Sequence, residues 1–243
     1  MEVTLNKKNV FSSIKDTKES IPTPILKSDL AKENAYNVLD GLTLLRDIND
    51  TVITAAFFDP QYRGIMDKMK YGNEGDGRQK ARIELSQMSD EMITEFIREI
   101  DRVLKKSGHL FLWIDKFHLC EGTAHWFKDT SLTVVDLVTW DKGKIGMGYR
   151  TRRKSEYLLV LQKAPNRAKG VWSRHDIPDV WTEKIVNKRH PHQKPDLLQK
   201  NLIDAVSSKN DFILDPCSGS YSVFEACKLI ERNFIGCDLK PKE

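Results

Sequence analysis

The sequence predicts an α/β protein built on a doubly wound, mostly parallel β-sheet. Continuous apolar runs at residues 51–58 and 109–114 are typical of strands buried on both faces. Between them, residues 89–104 repeat apolar side chains at helical spacing. The last unit, residues 212–238, has the pattern of a strand, a turn of small residues, a helix and a second strand. This alternation of strands and helices predicts the fold class.

Local signals place the element ends. Ser89 suits a helix N-cap, and Lys105, Lys106 and Gly108 are expected to close that helix before the strand at 109–114. Too few residues separate the apolar runs at 134–140 and 156–161 for a helical crossover, so we expect an antiparallel pair at the sheet edge. Pro195 suits the first turn of another helix. The residues expected on its buried face are Leu197, Leu198, Leu202, Ile203 and Val206.

Composition indicates a globular, cytosolic protein. The chain has 243 residues, of which 40% are hydrophobic and 30% charged. It carries neither a signal-peptide core at its start nor an apolar stretch of membrane-spanning length, so no membrane partner is expected. The cysteines at 120, 217, 227 and 237 form no CxxC pair, and no metal site is expected. Residues 1–37 are interpreted as an extension that is either laid over the domain at 38–243 or partly disordered. Residues 63–88 are interpreted as a long loop, of a length that is usually functional or disordered.

The charge of the chain is unevenly distributed. Residues 141–195 contain fourteen Lys and Arg against five Asp and Glu, a local charge of +9, whereas the whole chain carries only +4. The remaining residues therefore sum to −5. A basic segment on a mildly acidic body indicates nucleic-acid binding. The candidate nucleic-acid contacts within the segment are Arg150, Arg152, Arg153, Arg167, Trp172 and Arg174.

Two acidic corners follow predicted strands. Asp215 ends the apolar run 212–214 and enters a small-residue turn, and Asp238 ends the next run. Such a unit binds a nucleoside at the carboxyl ends of parallel strands, with the second acid accepting from ribose hydroxyls. Asp59 ends the run at 51–58. We therefore expect a ligand at one corner and chemistry at the other.

The residues Asp59-Pro60-Gln61-Tyr62 suit methyl transfer to an exocyclic amine. The lone pair of such an amine is delocalised into the base ring. A carboxylate and a main-chain carbonyl that each accept one N–H would localise it, and proline fixes the direction of a carbonyl. Tyr62 offers a face for an extruded base. No covalent intermediate is required, because proximity and electrostatics supply the rate.

These motifs resemble the β class of amino-group DNA methyltransferases. FFDPQY at 57–62 is similar to their DPPY motif, HPHQKP at 190–195 to HPTQKP, and the segment from Ile213 to Leu239 to the motif DPFxGSGTT with its following strand. The catalytic motif precedes the cofactor motif, as in the β class. The resemblance implies S-adenosylmethionine as cofactor, a seven-stranded Rossmann-like sheet and often a homodimer.

The resemblance also implies roles. Asp59 and the Pro60 carbonyl would hold the amine, beside Gln61 and with Tyr62 stacked on the base. The expected cofactor-binding residues are Asp215, Pro216, Cys217, Ser218, Gly219, Ser220 and Asp238, with His190 and Lys194 near the methionine carboxylate. The catalytic half would span 38–163, a target-recognition segment 164–189 and the cofactor half 190–240. Two departures stand out: Gln61 replaces a proline, and Tyr221 replaces a glycine of the cofactor loop.

The implied reaction is N6-adenine methylation of double-stranded DNA, because an aspartate at the head of the catalytic motif is typical of that specificity. A cognate restriction enzyme is a possible partner. The alternatives are N4-cytosine methylation, RNA as substrate, and a catalytically weak methyltransferase-like module that binds nucleic acid. A further alternative is a C5-cytosine enzyme with Cys217 as nucleophile, which its place in the cofactor loop disfavours.

Overall fold

The structure is a computed structural model that describes residues 23–61, 87–146, 150–186 and 192–241. Most of the predicted loop at 63–88 lies outside these ranges, as do Tyr62 and His190. The strands are β1 (Asn37–Val38), β2 (Ile53–Phe58), β3 (Leu104–Ile114), β4 (Leu132–Asp141), β5 (Ser155–Lys163), β6 (Val180–Thr182), β7 (Phe212–Asp215) and β8 (Asn233–Asp238). The helices are α1 (Gly41–Asp47), α2 (Asp90–Val103), α3 (Lys116–Glu121), α4 (Asp196–Val206) and α5 (Ser222–Leu229).

The described strands form one sheet in the order β1-β8-β7-β2-β3-β5-β4-β6. All neighbouring pairs are parallel except those of β5, which is antiparallel to both β3 and β4. The sheet has one strand more than the seven expected, since the short strands β1 and β6 extend its two edges. The predicted antiparallel pair is confirmed, with β6 outside it.

Helices cover both faces of the sheet, as the α/β prediction requires. On one face, α1 and α2 pack on alternate side chains of the central strands, such as Ala56, Phe58 and Leu112. On the other face, α4 and α5 pack on the intervening side chains, such as Phe57 and Ile213. Side chains of a strand alternate between faces, so every central strand contributes to both cores. This explains the uninterrupted apolar runs in the sequence.

Helix α2 begins as predicted but ends earlier. Ser89 caps it by accepting from the Met92 N–H. The helix stops at Val103, and β3 starts at Leu104, so the prediction that residues 105–108 close the helix is wrong. The reason lies in strand pairing: Ile53 pairs with Leu104 and Ala55 with His109, which leaves residues 105–108 as a bulge.

The prediction of the buried face of α4 is wrong for one residue. Leu198, Leu202, Ile203 and Val206 are buried, but Leu197 is 56% exposed. Pro195 is the N-cap residue of this helix, so Leu197 lies in the first turn on its outer side.

Residues 23–36 lie against the body of the domain. Ile25 and Ala31 are buried in the core, and the Asn34 side chain accepts from the Phe234 N–H of β8 at 2.8 Å. The Tyr36 ring packs edge-on against Tyr221 at 4.9 Å. The domain boundary at residue 37 stays a prediction. None of the helices in the described ranges has the length and apolar character needed to cross a bilayer.

Candidate active site

The two acids predicted to flank the reaction lie on adjacent strands. Strands β2 and β7 pair in parallel, with Ala55 opposite Ile213 and Ala56 opposite Leu214. Phe57 and Ile213 face the α4–α5 side of the sheet, so the alternation of side chains directs Asp59 and Asp215 to that same side. Both acids therefore lie at the carboxyl edge of the sheet, in the electrostatic field of each other.

The end of β2 is anchored by its main chain. The Gln61 carbonyl accepts from the Met88 N–H at 2.7 Å, which joins the residues on either side of 62–86. Burial raises the pKa of Asp59 above its ordinary value, and Lys194 opposes that rise. This corner therefore presents a carboxylate whose protonation is set by its surroundings.

Lys194 lies against the predicted catalytic acid. Its Nζ is 3.0 Å from Asp59 Oδ2 and 2.9 Å from Glu156 Oε2. Burial acts to lower the pKa of Lys194, but the two carboxylates raise it above its ordinary value. Lys142 also pairs with Glu156. The expected contact of Lys194 with a methionine carboxylate stays a prediction.

The loop from Asp215 to Tyr221 is folded by hydrogen bonds to its own acids. The Cys217 N–H donates to Asp215 Oδ1 at 3.2 Å, and the Gly219 N–H donates to Asp238 Oδ2 at 2.9 Å. The Ser218 hydroxyl donates to the Asp215 carbonyl at 2.8 Å. The two strand ends and the loop thus form one unit, with Pro216 and Ser220 along the same turn.

Two neighbouring backbone segments approach this loop closely. A Cβ on Gly236 of β8 would lie 2.4 Å from the Asp215 carbonyl oxygen, and one on Gly41 would lie 2.5 Å from the Pro216 carbonyl oxygen. Any side chain at either position would displace the loop backbone. Gly41 starts α1, so this helix braces the loop from the other face of the sheet.

Tyr221 takes the backbone conformation that glycine would favour at its position. Its φ is 56° and its ψ 29°, in the left-handed region. The ring turns into the core between Tyr36 and Phe234, and its hydroxyl donates to the Asn37 carbonyl at 2.9 Å. A tyrosine in this left-handed conformation carries backbone strain that a glycine would not.

Asp215 is a buried acid with a strongly raised pKa. Burial raises its pKa to about 8, and the charges of Asp59 and Asp238 add to the rise. A carboxyl group in this setting gains stability from a cationic partner. Burial likewise raises the pKa of the Cys217 thiol well above its ordinary value, which disfavours a thiolate nucleophile.

The basic residues of the sequence separate into two groups. Arg150 and Arg152 are exposed on the β4–β5 connection, which leads into β5 opposite the carboxyl end of β3 and so lies at the carboxyl edge. Arg153 of the same connection lies over the Phe117 ring at 6.0 Å. This group therefore lies at the same edge of the sheet as Asp59 and Asp215.

The other predicted contacts lie at the amino edge. The Arg167 N–H donates to Gln162, and Trp172 packs on His109, which pairs with Gln162 across β3 and β5. Arg174 pairs with Asp176 at 2.5 Å and binds Asn201 of α4 at 2.7 Å. The structure therefore does not bring Arg167, Trp172 or Arg174 to the carboxyl edge, because residues 164–174 start at the opposite end of the sheet.

Sequence reasoning missed Glu156, Lys142 and Gly41 as parts of the site. Glu156 had a detectable signal: an acidic residue that opens a run of apolar residues on a strand buried on both faces. Gly41 had none, because its close approach to Pro216 depends on the packing of α1 against the loop.

Comparisons with known proteins agree with this geometry. A family model described as DNA methylase, of the N6/N4 class, matches residues 53–243. The Type II methyltransferase M.HhaII of Haemophilus parahaemolyticus is 59% identical over 207 residues, which cover 85% of this chain and 91% of the relative.

Solved structures show the same fold. The M1.HpyAVI–SAM complex aligns with a TM-score of 0.59 and 21% identity, covering 84% of this chain and 92% of the other. The PvuII DNA methyltransferase, described as cytosine-N4-specific, aligns with a TM-score of 0.67 and 14% identity, covering 87% and 83%. The family model and the 59% identity over most of both chains establish that this protein belongs to the N6/N4 DNA methylase family.

Proposed function

We propose that this protein methylates the exocyclic N6 of adenine in double-stranded DNA. The observation that carries the proposal is the pair Asp59 and Asp215, which lie on one face at the carboxyl ends of adjacent strands. One acid can hold the amine and the other the methyl donor. Aspartate at position 59 favours adenine, since the residues of this corner resemble the N6-adenine form of the catalytic motif.

S-adenosylmethionine, the methyl donor of this family, supplies an electrophilic methyl group on a sulfonium. The residues around Asp215 fit its charge. A buried carboxyl whose pKa is about 8 in the free protein would ionise readily beside an ammonium group. Asp238 would accept from ribose hydroxyls, because each of its oxygens retains a lone pair beyond the bonds from Gly219 and Lys240.

Asp59 and the Pro60 carbonyl would each accept one N–H of the target amine. These two acceptors localise the nitrogen lone pair and aim it at the methyl carbon. Transfer would form the N–C bond and break the C–S bond, with a neutral thioether as leaving group, and the cationic nitrogen would release one proton to Asp59 or to solvent. Tyr62, predicted to stack on the flipped base, lies outside the described residues.

The group Arg150, Arg152 and Arg153 would contact DNA phosphates beside the cleft. The β4–β5 connection also includes Lys144 and Lys154, so the rim of the proposed cleft is basic. The interior of the cleft, by contrast, contains the acids Asp59 and Asp215. Phosphate contacts position the duplex, and a base extruded into the cleft would place its amine at Asp59. Because the 59% identical relative is named a Type II methyltransferase, a cognate restriction enzyme is the proposed biological partner. A homodimer stays a prediction.

Mass spectrometry of nucleosides tests the proposal. The purified protein is incubated with methyl-labelled S-adenosylmethionine and unmethylated DNA, and the DNA is digested to nucleosides. We expect labelled N6-methyladenosine in its deoxy form. Labelled N4-methylcytosine would instead establish the cytosine specificity found within the family. Label on matched RNA alone, or transfer to neither polymer, would contradict the proposed activity.

A further inference from the structure

A row of four charged side chains starts at the candidate catalytic acid and continues to the β4–β5 connection. Lys194 bridges Asp59 and Glu156, with Nζ–O distances of 3.0 Å and 2.9 Å, and Lys142 occupies the second oxygen of Glu156. The row alternates in sign and sums to zero. Lys194 has only 14% of its side chain exposed. Charges in such surroundings are stable only when each has well-placed partners.

Two indole rings support the row. Lys194 Nζ lies 4.8 Å from the centroid of the Trp113 ring, and Lys142 Nζ lies 5.3 Å from that of Trp140. Two of the ammonium protons of Lys194 can point at carboxylates while the ring limits its motion on a third side. Its position is therefore fixed jointly by Asp59, Glu156 and Trp113.

We propose that Glu156 is a positioning residue for methyl transfer: it anchors Lys194, and Lys194 in turn holds the Asp59 carboxylate ionised and oriented towards the target amine. This inference rests on the proposed function. Asp59 Oδ2 faces Lys194, so Oδ1 is the oxygen that would accept the amine N–H. Glu156 itself contacts neither the amine nor the methyl donor in this scheme.

The charges around Asp59 determine how the row responds to substitution. Burial raises the pKa of Asp59, Lys194 and His192 lower it, and Glu156 raises it, while Asp215 lies on the neighbouring strand. Burial acts to raise the pKa of Glu156 too, but Lys194 and Lys142 lower it to about 2. Glu156 is therefore a fixed negative charge throughout the working pH range.

Neutral substitutions at Glu156 and at Lys142 should move the Lys194 ammonium group in opposite directions relative to Asp59. In Glu156→Gln, Lys194 loses one carboxylate and turns fully to Asp59, so the pKa of Asp59 falls. In Lys142→Gln, Glu156 keeps only Lys194 and draws it away, so the pKa of Asp59 rises. Loss of a neighbouring charge would by itself shift the Asp59 pKa in these same two directions, so the fall in kcat of Glu156→Gln and the signal of the Lys194 ammonium group are what distinguish positioning from a role limited to stability.

The test measures kcat/KM for DNA against pH in the wild type, Glu156→Gln and Lys142→Gln. The acid limb of kcat/KM reports ionisation of groups in the free enzyme. We expect Glu156→Gln to lose about 10- to 100-fold of kcat through misplaced groups, with its acid limb displaced to lower pH. Lys142→Gln should move the limb to higher pH. Activity of Glu156→Gln within threefold of the wild type, or acid limbs that stay in place in both variants, would overturn the proposal.

A readout independent of catalysis completes the test. The Lys194 ammonium signal in a ¹⁵N NMR spectrum, assigned by its loss in Lys194→Gln, should be visible in the wild type and shift or broaden in Glu156→Gln. An unchanged signal would contradict the anchoring. If Glu156→Gln fails to fold in a melting experiment, Lys142→Gln decides, since its lysine lies at the rim of the row. A wild type that methylates no DNA would count against the proposed function. The ammonium signal would still test whether Glu156 fixes the position of Lys194.

Discussion

Replacement of Asp215 by Asn should stabilise the cofactor-free protein, and more so as the pH rises. Burial raises the pKa of Asp215 from 3.8 to about 8. Between these two values the folded state holds a proton that the unfolded state has released, so wild-type stability falls as the pH rises through this window. The asparagine keeps an oxygen that can accept from the Cys217 N–H, but it carries no charge to desolvate.

The magnitude follows from the shift. One pKa unit corresponds to about 1.4 kcal/mol, so the three units between pH 5 and pH 8 correspond to about 4 kcal/mol. We therefore expect the difference in unfolding free energy between Asp215→Asn and the wild type to grow by about 4 kcal/mol from pH 5 to pH 8. Urea unfolding followed by tryptophan fluorescence at several pH values measures this difference directly.

Asp211, before the start of the same strand, offers a matched control of opposite sign. Burial acts to raise its pKa, but Lys105 and the Ser208 N–H lower it below its ordinary value. Its stabilising contribution is present above the unfolded pKa and is lost as the pH falls through the lowered value. Asp211→Asn should therefore destabilise the protein equally at pH 5 and pH 8. A difference for Asp215→Asn that is likewise constant across this range would refute the reasoning.

Binding of S-adenosylmethionine should report the same ionisation. Because the proposed site offers its ammonium an ionised Asp215, binding by the wild type should release a proton below pH 8 and strengthen as the pH rises from 6 to 8. Calorimetry in buffers of different ionisation enthalpy counts the protons. Asp215→Asn should bind more weakly, with no pH dependence from this group. Proton release that persists unchanged in the variant would place the titrating group elsewhere.

Three further predictions concern other parts of the site. Tyr221→Phe should lose about 1 kcal/mol of stability with its hydrogen bond to the Asn37 carbonyl, and leave the calorimetric Kd for S-adenosylmethionine unchanged; a weakened Kd would mean that the hydroxyl serves the ligand. Arg150→Ala with Arg152→Ala should raise the KM for DNA and reduce the slope of log affinity against log salt by about 2, one for each phosphate contact. DNA containing 5-fluorocytosine should form no covalent complex on a denaturing gel, because the Cys217 thiol is held protonated; a trapped band would contradict this.

The arginine prediction has a control within the chain. Arg167→Ala with Arg174→Ala removes the same charge from the amino edge of the sheet, away from Asp59. This pair should leave the salt slope close to that of the wild type. An equal loss of slope in both pairs would mean that net charge alone, and not the rim of the cleft, governs DNA affinity.

Most of the fold could be predicted because its strands are buried on both faces. The apolar runs that became β2 and β3 and the helical spacing of α2 are direct consequences of that burial. The early end of α2 and the bulge at residues 105–108 could not be predicted from the sequence. A bulge depends on which residue of β2 pairs with which residue of β3. The edge strands β1 and β6 are too short to leave a periodic signal.

The site was predictable where function follows from strand ends, and less so where it depends on packing. Asp59, Asp215 and Asp238 each follow an apolar run, and parallel pairing brings strand ends to one edge. The ion pair between Lys194 and Glu156 joins residues 38 positions apart. The local sequence pattern around either residue does not predict it. The end of the sheet at which Arg167 and Arg174 lie could not be predicted, because net charge along a segment does not reveal where the segment starts; their contact with DNA stays a prediction.

The central claim is that Asp59 acts on the target amine while Asp215 serves the methyl donor in the same cleft. Single-turnover transfer by Asp59→Asn, with S-adenosylmethionine already bound as verified by calorimetry, tests it most directly. We expect donor binding close to that of the wild type and a transfer rate reduced by at least about a hundredfold, the scale on which a group aimed at developing charge contributes. A transfer rate within a few-fold of the wild type in the loaded variant would contradict the account.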